Sequence, residues 1–131
     1  LVLSYYQLGA INASAGDHVN AAILGERIAQ LKVPDDQPDA RGPNLYNAAC
    51  LLSLASAAAA KDEDLAEADR VTLADKHAAR AVALLVEDRT LGYFKDPAKV
   101  AHMKKDTDLD PLRDRDDFKQ LVKELEEDLQ K

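Results

Sequence analysis

"NLYNAACLLSLASAAAA", residues 44–60, reaches Ala60 without a single charged side chain and with almost no polar interruption. A run of this length exceeds any ordinary strand, so its spacing predicts an α-helix. Such a helix has no side suited to water, and other helices must bury it on most of its circumference. Pro43 just ahead of it suits a first helical turn, where its missing N–H is not needed. Ser53 and Ser56 interrupt the apolar run, and it falls short of a bilayer span. The fold therefore turns on what surrounds this segment.

Upstream, Leu3, Tyr6, Ala10 and Ala13 recur at helical spacing from Val2 to Ala15, and Gly16 breaks the pattern. Asp17 is placed to cap a second helix, in which Val19, Ala22, Ile23, Ile28 and Leu31 carry the period to Val33, with Pro34 ending it. "PDDQPDARGP" (34–43) holds three of the five prolines and no apolar period, so it reads as a linker. Downstream, "KDEDLAEAD" is an acidic connection. The helical period resumes through Val71, Ala74, Ala78, Ala81, Val82 and Leu85 until Gly92. Asp96 and Pro97 supply an N-cap and first turn for a short helix to about residue 105. A last stripe of Phe118, Leu121, Val122, Leu125 and Leu129 predicts an amphipathic, solubilising terminal helix.

The predicted class is all-α, in keeping with an apolar content dominated by alanine, few aromatics and no tryptophan. One hundred and thirty-one residues suit one domain with a real core. A formal charge of −7 repels phosphate backbones and anionic lipid headgroups, so nucleic acid and membrane surfaces are poor partners. Cys50 stands alone, which excludes an intrachain disulfide and permits a reducing, cytoplasmic location. The opening "LVLSYYQLG" has neither Met nor a basic n-region, and a piece of a longer protein is expected.

The helices group as two helix-turn-helix units, and their small and bulky positions follow the tetratricopeptide pattern. In the first unit Tyr5, Leu8, Gly9, Ala21 and Val33 match, while Asn12 and Gly25 depart from the aromatic slots. In the second, Leu45, Ala48, Ala49 and Leu52 take the first-helix positions, and Ala81 and Leu85 the second-helix pair. From Asn44 onward the order "LYNAACLLSLASAA", acidic insertion, "ADKHAARAVALLVEDRTLGY" and "AHMKKDTDLDPLRDRDDFKQLVKEL" resembles the C-terminal tetratricopeptide region of large bacterial, planctomycete-type serine/threonine protein kinases. That resemblance implies repeat one over 1–34, a linker over 35–43, repeat two with an insertion over 44–95, and a short helix plus capping helix over 96–131. It further implies a non-catalytic protein-interaction module at the end of a signalling protein, or alternatively a purely structural cap of a scaffold solenoid. Family members often carry Ala where this chain has Asp88, which predicts an exposed helix end there. The glycine-rich loop, H-R-D and D-F-G of a kinase are not in these residues, so catalysis is expected to lie elsewhere in the parent.

Chemistry-bearing residues are sparse. "DTDLDPLRDRDDF" (106–118) spaces Asp106, Asp108, Asp110, Asp114 and Asp117 like a calcium loop, but Pro111 occupies the sixth position, where a sharp turn needs Gly. Leu109 and Leu112 instead suggest a structural closure, with Arg113 pairing an acid or capping carbonyls and Asp114, Asp116 and Asp117 at the positive end of the last helix. His18, His77 and His102 lie far apart, and no metal or cofactor is expected. Cys50 between Ala49 and Leu51 reads as a small buried hydrophobe. Serines lack a nucleophile elbow. In a tetratricopeptide stack the first helix of each pair lines the groove. Leu3, Tyr6, Gln7, Ala10 and Ala13 with Asn44, Asn47, Leu51 and Leu54 are therefore the candidate lining for a protein or peptide partner. Gln7 and Asn47 could bond a peptide backbone whatever its sequence. Leu1, Leu3 and Tyr6 on the first helix are also candidates for self-association.

Overall fold

The computed structural model describes residues 2–131; Leu1, named above for self-association, lies outside them. Six α-helices and three short 3-10 segments make up the ordered elements among the described residues, with no strand. Helices α1 (Val2–Ser14) and α2 (His18–Ala29) form one hairpin, and α3 (Arg41–Ala60) and α4 (Glu67–Leu91) a second, longer one. A closing segment follows: a 3-10 turn (Tyr93–Lys95), α5 (Pro97–Lys105), a second 3-10 turn (Thr107–Leu112) and α6 (Asp116–Leu129).

Helix α3 is the hub. It packs against α1, α2, α4 and the Thr107–Leu112 turn, and its buried residues cover almost every direction around its axis, from Leu45, Ala48 and Ala49 to Leu51, Leu52 and Ala55. Neighbours reach it through small residues. Gly25 on α2 lies so close that an added Cβ would stand 3.3 Å from the Ala48 carbonyl oxygen and from Leu51 Cβ. Gly42, at the start of α3, makes room for the Tyr93 ring. Ser56 fixes the second hairpin by donating its hydroxyl to the Ala74 carbonyl, 2.7 Å away.

The turns follow from their residues. Gly16 has φ +86°, a left-handed conformation natural to glycine. Asp17 then accepts the Asn20 amide at 3.1 Å as a helix cap. Gly92 (φ +91°) ends α4, its N–H turned back to the Arg89 and Asp88 carbonyls. Asp96 accepts the Ala98 amide at 2.9 Å ahead of Pro97.

Two expectations for α2 need correction. The helix stops at Ala29 rather than Val33. Pro34 lacks the N–H that would bond the Gln30 carbonyl and disfavours helical backbone at Val33, so the last turn cannot form. Arg41 instead donates its guanidinium to the Ala29 carbonyl. The buried face is also rotated from the expected stripe. Ala22 and Ile28 are buried as expected, but the face centres on Ala21, Leu24 and Gly25 beside them, while Val19 and Ile23 are 56% and 44% exposed. Gly25 sets that rotation, because only the glycine side of α2 can approach α3 closely. In the 34–43 stretch, Pro38–Ala40 form a 3-10 turn and α3 already begins at Arg41. Val71 lies outside the core on the exposed early part of α4.

Asp88 is the second correction to the expected helix end. It is fully buried, three residues before α4 stops, and neither carboxylate oxygen has a hydrogen-bond partner among the described residues. Burial, reinforced by the neighbouring Glu87 charge, raises its pKa from 3.8 to about 8. The folded chain therefore keeps this proton at pH values where the unfolded chain has released it. Its contribution to stability is complete below about pH 4 and shrinks as pH rises toward about 8, at about 1.4 kcal/mol per pH unit for a single group. Asp88→Ala is expected to lose that slope. In urea melts between pH 5 and 8, the difference in midpoint between variant and wild type should widen in the variant's favour as pH rises; a constant difference would show that Asp88 ionises normally.

Candidate functional site

The seam between α1 and α3 was the expected groove, and Leu51 divides it. An added Cβ on Gly9 would stand 2.8 Å from both Leu51 methyl groups, so glycine here lets the Leu51 side chain fill the crossing point. Leu51 is fully buried and cannot line a groove, contrary to expectation. Two separate clefts result. One, at the far end of α1, is lined by Ala13, Ser14, Leu54, Ala58 and the acidic Asp62–Asp64 turn. The other, of about 580 Å³, lies between α1, α3 and the closing segment and is lined by Leu3, Tyr6, Tyr46, Asn47, Tyr93, Lys99 and His102, with Asp106 and Asp108 at its base.

Leu3, Tyr6 and Asn47 thus share a cleft; Gln7 is exposed, Ala10 half-buried, and Asn44 buried. None of Gln7, Ala10 and Asn44 lines that cleft.

At the base sits a hydrogen-bonded clasp that the sequence does not announce. Tyr46 on α3 donates its hydroxyl to Asp106 at 2.7 Å, and Tyr6 on α1 donates its own to Asp108. Asp106 also accepts the Asp108 amide at 3.0 Å, which starts the Thr107–Leu112 turn. Arg113 closes the same corner: it bonds the Asp106 carbonyl at 2.7 Å and pairs with Asp110 at 2.8 Å. Leu109 and Leu112 are fully buried beneath. The 106–118 stretch is therefore a 3-10 turn (Thr107–Leu112) folded onto α3, followed by the first residues of α6, rather than an open ion-binding loop.

Burial and nearby charge keep the two phenols of the clasp protonated. Burial, then the hydrogen bond to the Asp108 carboxylate, pushes the Tyr6 phenol well above its ordinary pKa. Burial, then the Cys50 and Asp106 groups, does the same to Tyr46. Both phenols stay neutral donors at any working pH. Cys50, with Sγ 3.7 Å from Asp106, is held protonated by burial and by the Asp106 and Asp108 charges, the opposite of an activated thiol. Cys50 Sγ and one oxygen each of Asp106 and Asp108 lie within 4.8 Å of one another. As a ligand set this triad would first have to give up the thiol proton and the tyrosine bonds. Around it, Tyr46 stacks at an angle with Tyr93 and His102, each 5.8 Å between ring centroids, and Lys99 Nζ sits 5.4 Å from the centre of the Tyr93 ring.

His18 and His77, far apart in sequence, meet with ring centroids 6.5 Å apart. His18 Nε2 lies 2.8 Å from Asp62, tying the start of α2 to the loop after α3. That bond lowers the Asp62 pKa, and burial lowers that of His77.

Asp106→Ala should leave the Tyr46 hydroxyl buried without a partner and uncap the turn, costing about 2–4 kcal/mol in urea melts, whereas Tyr46→Phe should cost about 1 kcal/mol. Equal losses would mean that the turn cap contributes nothing. Calcium at millimolar levels should leave the thermal midpoint where chelator puts it, because the carboxylates are already engaged and Pro111 occupies the turn position; a rise of several degrees would make the turn an ion site. Comparison with protein-family models, with curated proteins and with solved structures finds no match for this chain.

Proposed function

We propose that this chain is a non-catalytic protein-interaction module of tetratricopeptide type, the C-terminal end of a larger bacterial signalling protein that carries a serine/threonine kinase domain and works in the cytoplasm. The observation that supports it most is the outer side of α1. Leu3, Leu8 and Ile11 are 66%, 50% and 65% exposed on a helix without one charged residue, in a chain whose residues are 31% charged. With Ser4 and Gln7 they form an uncharged outward arc of about 140° at 100° per residue. An apolar face of that kind belongs against another protein surface. The neutral Tyr6 and Tyr46 clasp behind it holds α1 rigidly in place and offers no activated nucleophile.

The alternative, a structural cap, is favoured by the closing segment: Leu109, Leu112, Phe118, Leu121 and Leu125 are buried, while the outer face of α6 is charged. Capping repeats need such a polar outer face.

Reading the gene upstream of the Leu1 codon is the first test. A glycine-rich loop, H-R-D and D-F-G in order would support the kinase-linked module; repeats alone would favour the cap, and an unrelated upstream domain would overturn the kinase link. Leu8→Glu with Ile11→Glu in the full-length protein should then abolish association through α1 while leaving the thermal midpoint of this domain within about 2 °C, since both positions are solvent-exposed. Unchanged association would remove α1 as the interaction face.

A further inference from the structure

A further groove lies between α2 and α4, with Leu52 of α3 beneath it. It has a volume of about 590 Å³. Its floor is apolar: Ala22 and Ile23 on α2, with Leu52 of α3 beneath. Its rim is basic. Arg27 stands on one wall, Lys76 and Arg80 on the other, against a single acid, Glu26.

That acid is already engaged. Arg80 grips Glu26 with two bonds, 2.7 and 3.1 Å, bridging α2 to α4 across the groove. Arg27 and Lys76 have no carboxylate within 4.0 Å among the described residues. In a chain with a formal charge of −7, two unpaired cations flanking an apolar floor form a local reversal of the protein's field. His77, whose pKa burial lowers, adds a neutral ring to the wall. Ile23, 44% exposed, is the part of the floor that solvent now touches.

We infer that the α2–α4 groove docks a short acidic segment of a partner protein, which lays an apolar side chain on Ile23 and presents carboxylates to Arg27 and Lys76. The lining of α2 from Ala22 to Gln30 spans about 12 Å at 1.5 Å per residue, room for two turns of a helix. A basic or neutral occupant would leave the two rim cations facing like charge or losing water without a partner, which costs affinity. This rests on the reading of the chain as an interaction module, but it uses a face separate from α1.

The test uses a labelled helical peptide of Glu and Leu, its leucines one turn apart, and the same peptide with Lys replacing Glu. Binding is followed by fluorescence anisotropy, and the contact surface by NMR shifts. The Glu peptide should bind, more weakly as salt rises, with shifts centred on Ile23, Arg27 and Lys76. Arg27→Glu with Lys76→Glu, both at the groove rim, should weaken it by about tenfold or more while the far-ultraviolet circular dichroism stays unchanged. Lys76→Arg should restore binding when paired with native Arg27. Equal binding of the Lys peptide, indifference to the charge reversal, or no binding of the Glu peptide at millimolar concentration would each overturn the inference. So would a concentration-dependent dimer that the charge reversal dissolves, because the occupant would then be the acidic α6 of a second copy. Leu8→Glu with Ile11→Glu should leave peptide binding intact; if α1 association survives the loss of peptide binding, this groove alone fails and the module reading stands.

Discussion

Everything in this molecule depends on burying α3. A helix without charge from Asn44 to Ala60 has to be surrounded, and surrounding one helix with four or more packing partners demands close approach. Alanine and glycine supply it: Ala48, Ala49 and Ala55 on α3 are fully buried, and Gly9 and Gly25 on the neighbouring helices leave space that only the α3 side chains occupy. Hairpin one, hairpin two and the closing segment are three answers to that single requirement, arranged around it. The favourable term is the apolar surface removed from water, and the limit is steric.

The closing segment shows how a polar device can serve the same end. Asp106 lies between a short helix and a 3-10 turn, takes the Tyr46 hydroxyl from α3, and caps the turn that inserts Leu109 and Leu112. Arg113 satisfies the carbonyls left over at the corner. No buried side-chain polar atom there lacks a partner among the described residues, so the turn can be buried at little cost. Asp88 is the contrast. It is buried with neither oxygen bonded among the described residues, and it stays tolerable near neutral pH because it retains its proton. Two aspartates a short distance apart in sequence thus contrast: Asp106 is bonded on every side, and Asp88 is buried without a partner and keeps its proton.

Surface character divides by face. The outer side of α1 is apolar and uncharged, α6 is acidic, and the α2–α4 groove is basic over an apolar floor. The three faces thus differ in the physical property each offers to its surroundings.

The helices themselves were legible in the sequence. The 3.6-residue period, the Gly16 and Gly92 stops, the Asp17 and Asp96 caps and the Pro97 start are local devices, each acting within a few residues, and the structure places all of them. Arg113 as a carbonyl cap was legible for the same reason, as was the closure by Leu109 and Leu112. The α2 stripe was legible only in part: Ala22 and Ile28 are buried as the period implies, but Val19 and Ile23 fit it as well as Ala21 and Leu24 do, and only the contact of Gly25 with Ala48 chooses between the two faces. Leu51 looked like groove lining until Gly9 was set above it. Asp88 looked exposed by its chemistry and is buried by its neighbours. Tyr6 with Asp108, Tyr46 with Asp106, and His18 with His77 are pairs separated by tens of residues, and no spacing rule connects them. The sequence by itself determined which segments are helical and, except at the end of α2 and the start of α3, where they begin and stop, since those energies are local. Which face turns inward, which clefts open and which acids keep their protons were decided by the tertiary structure, because burial and electrostatics depend on everything nearby in space.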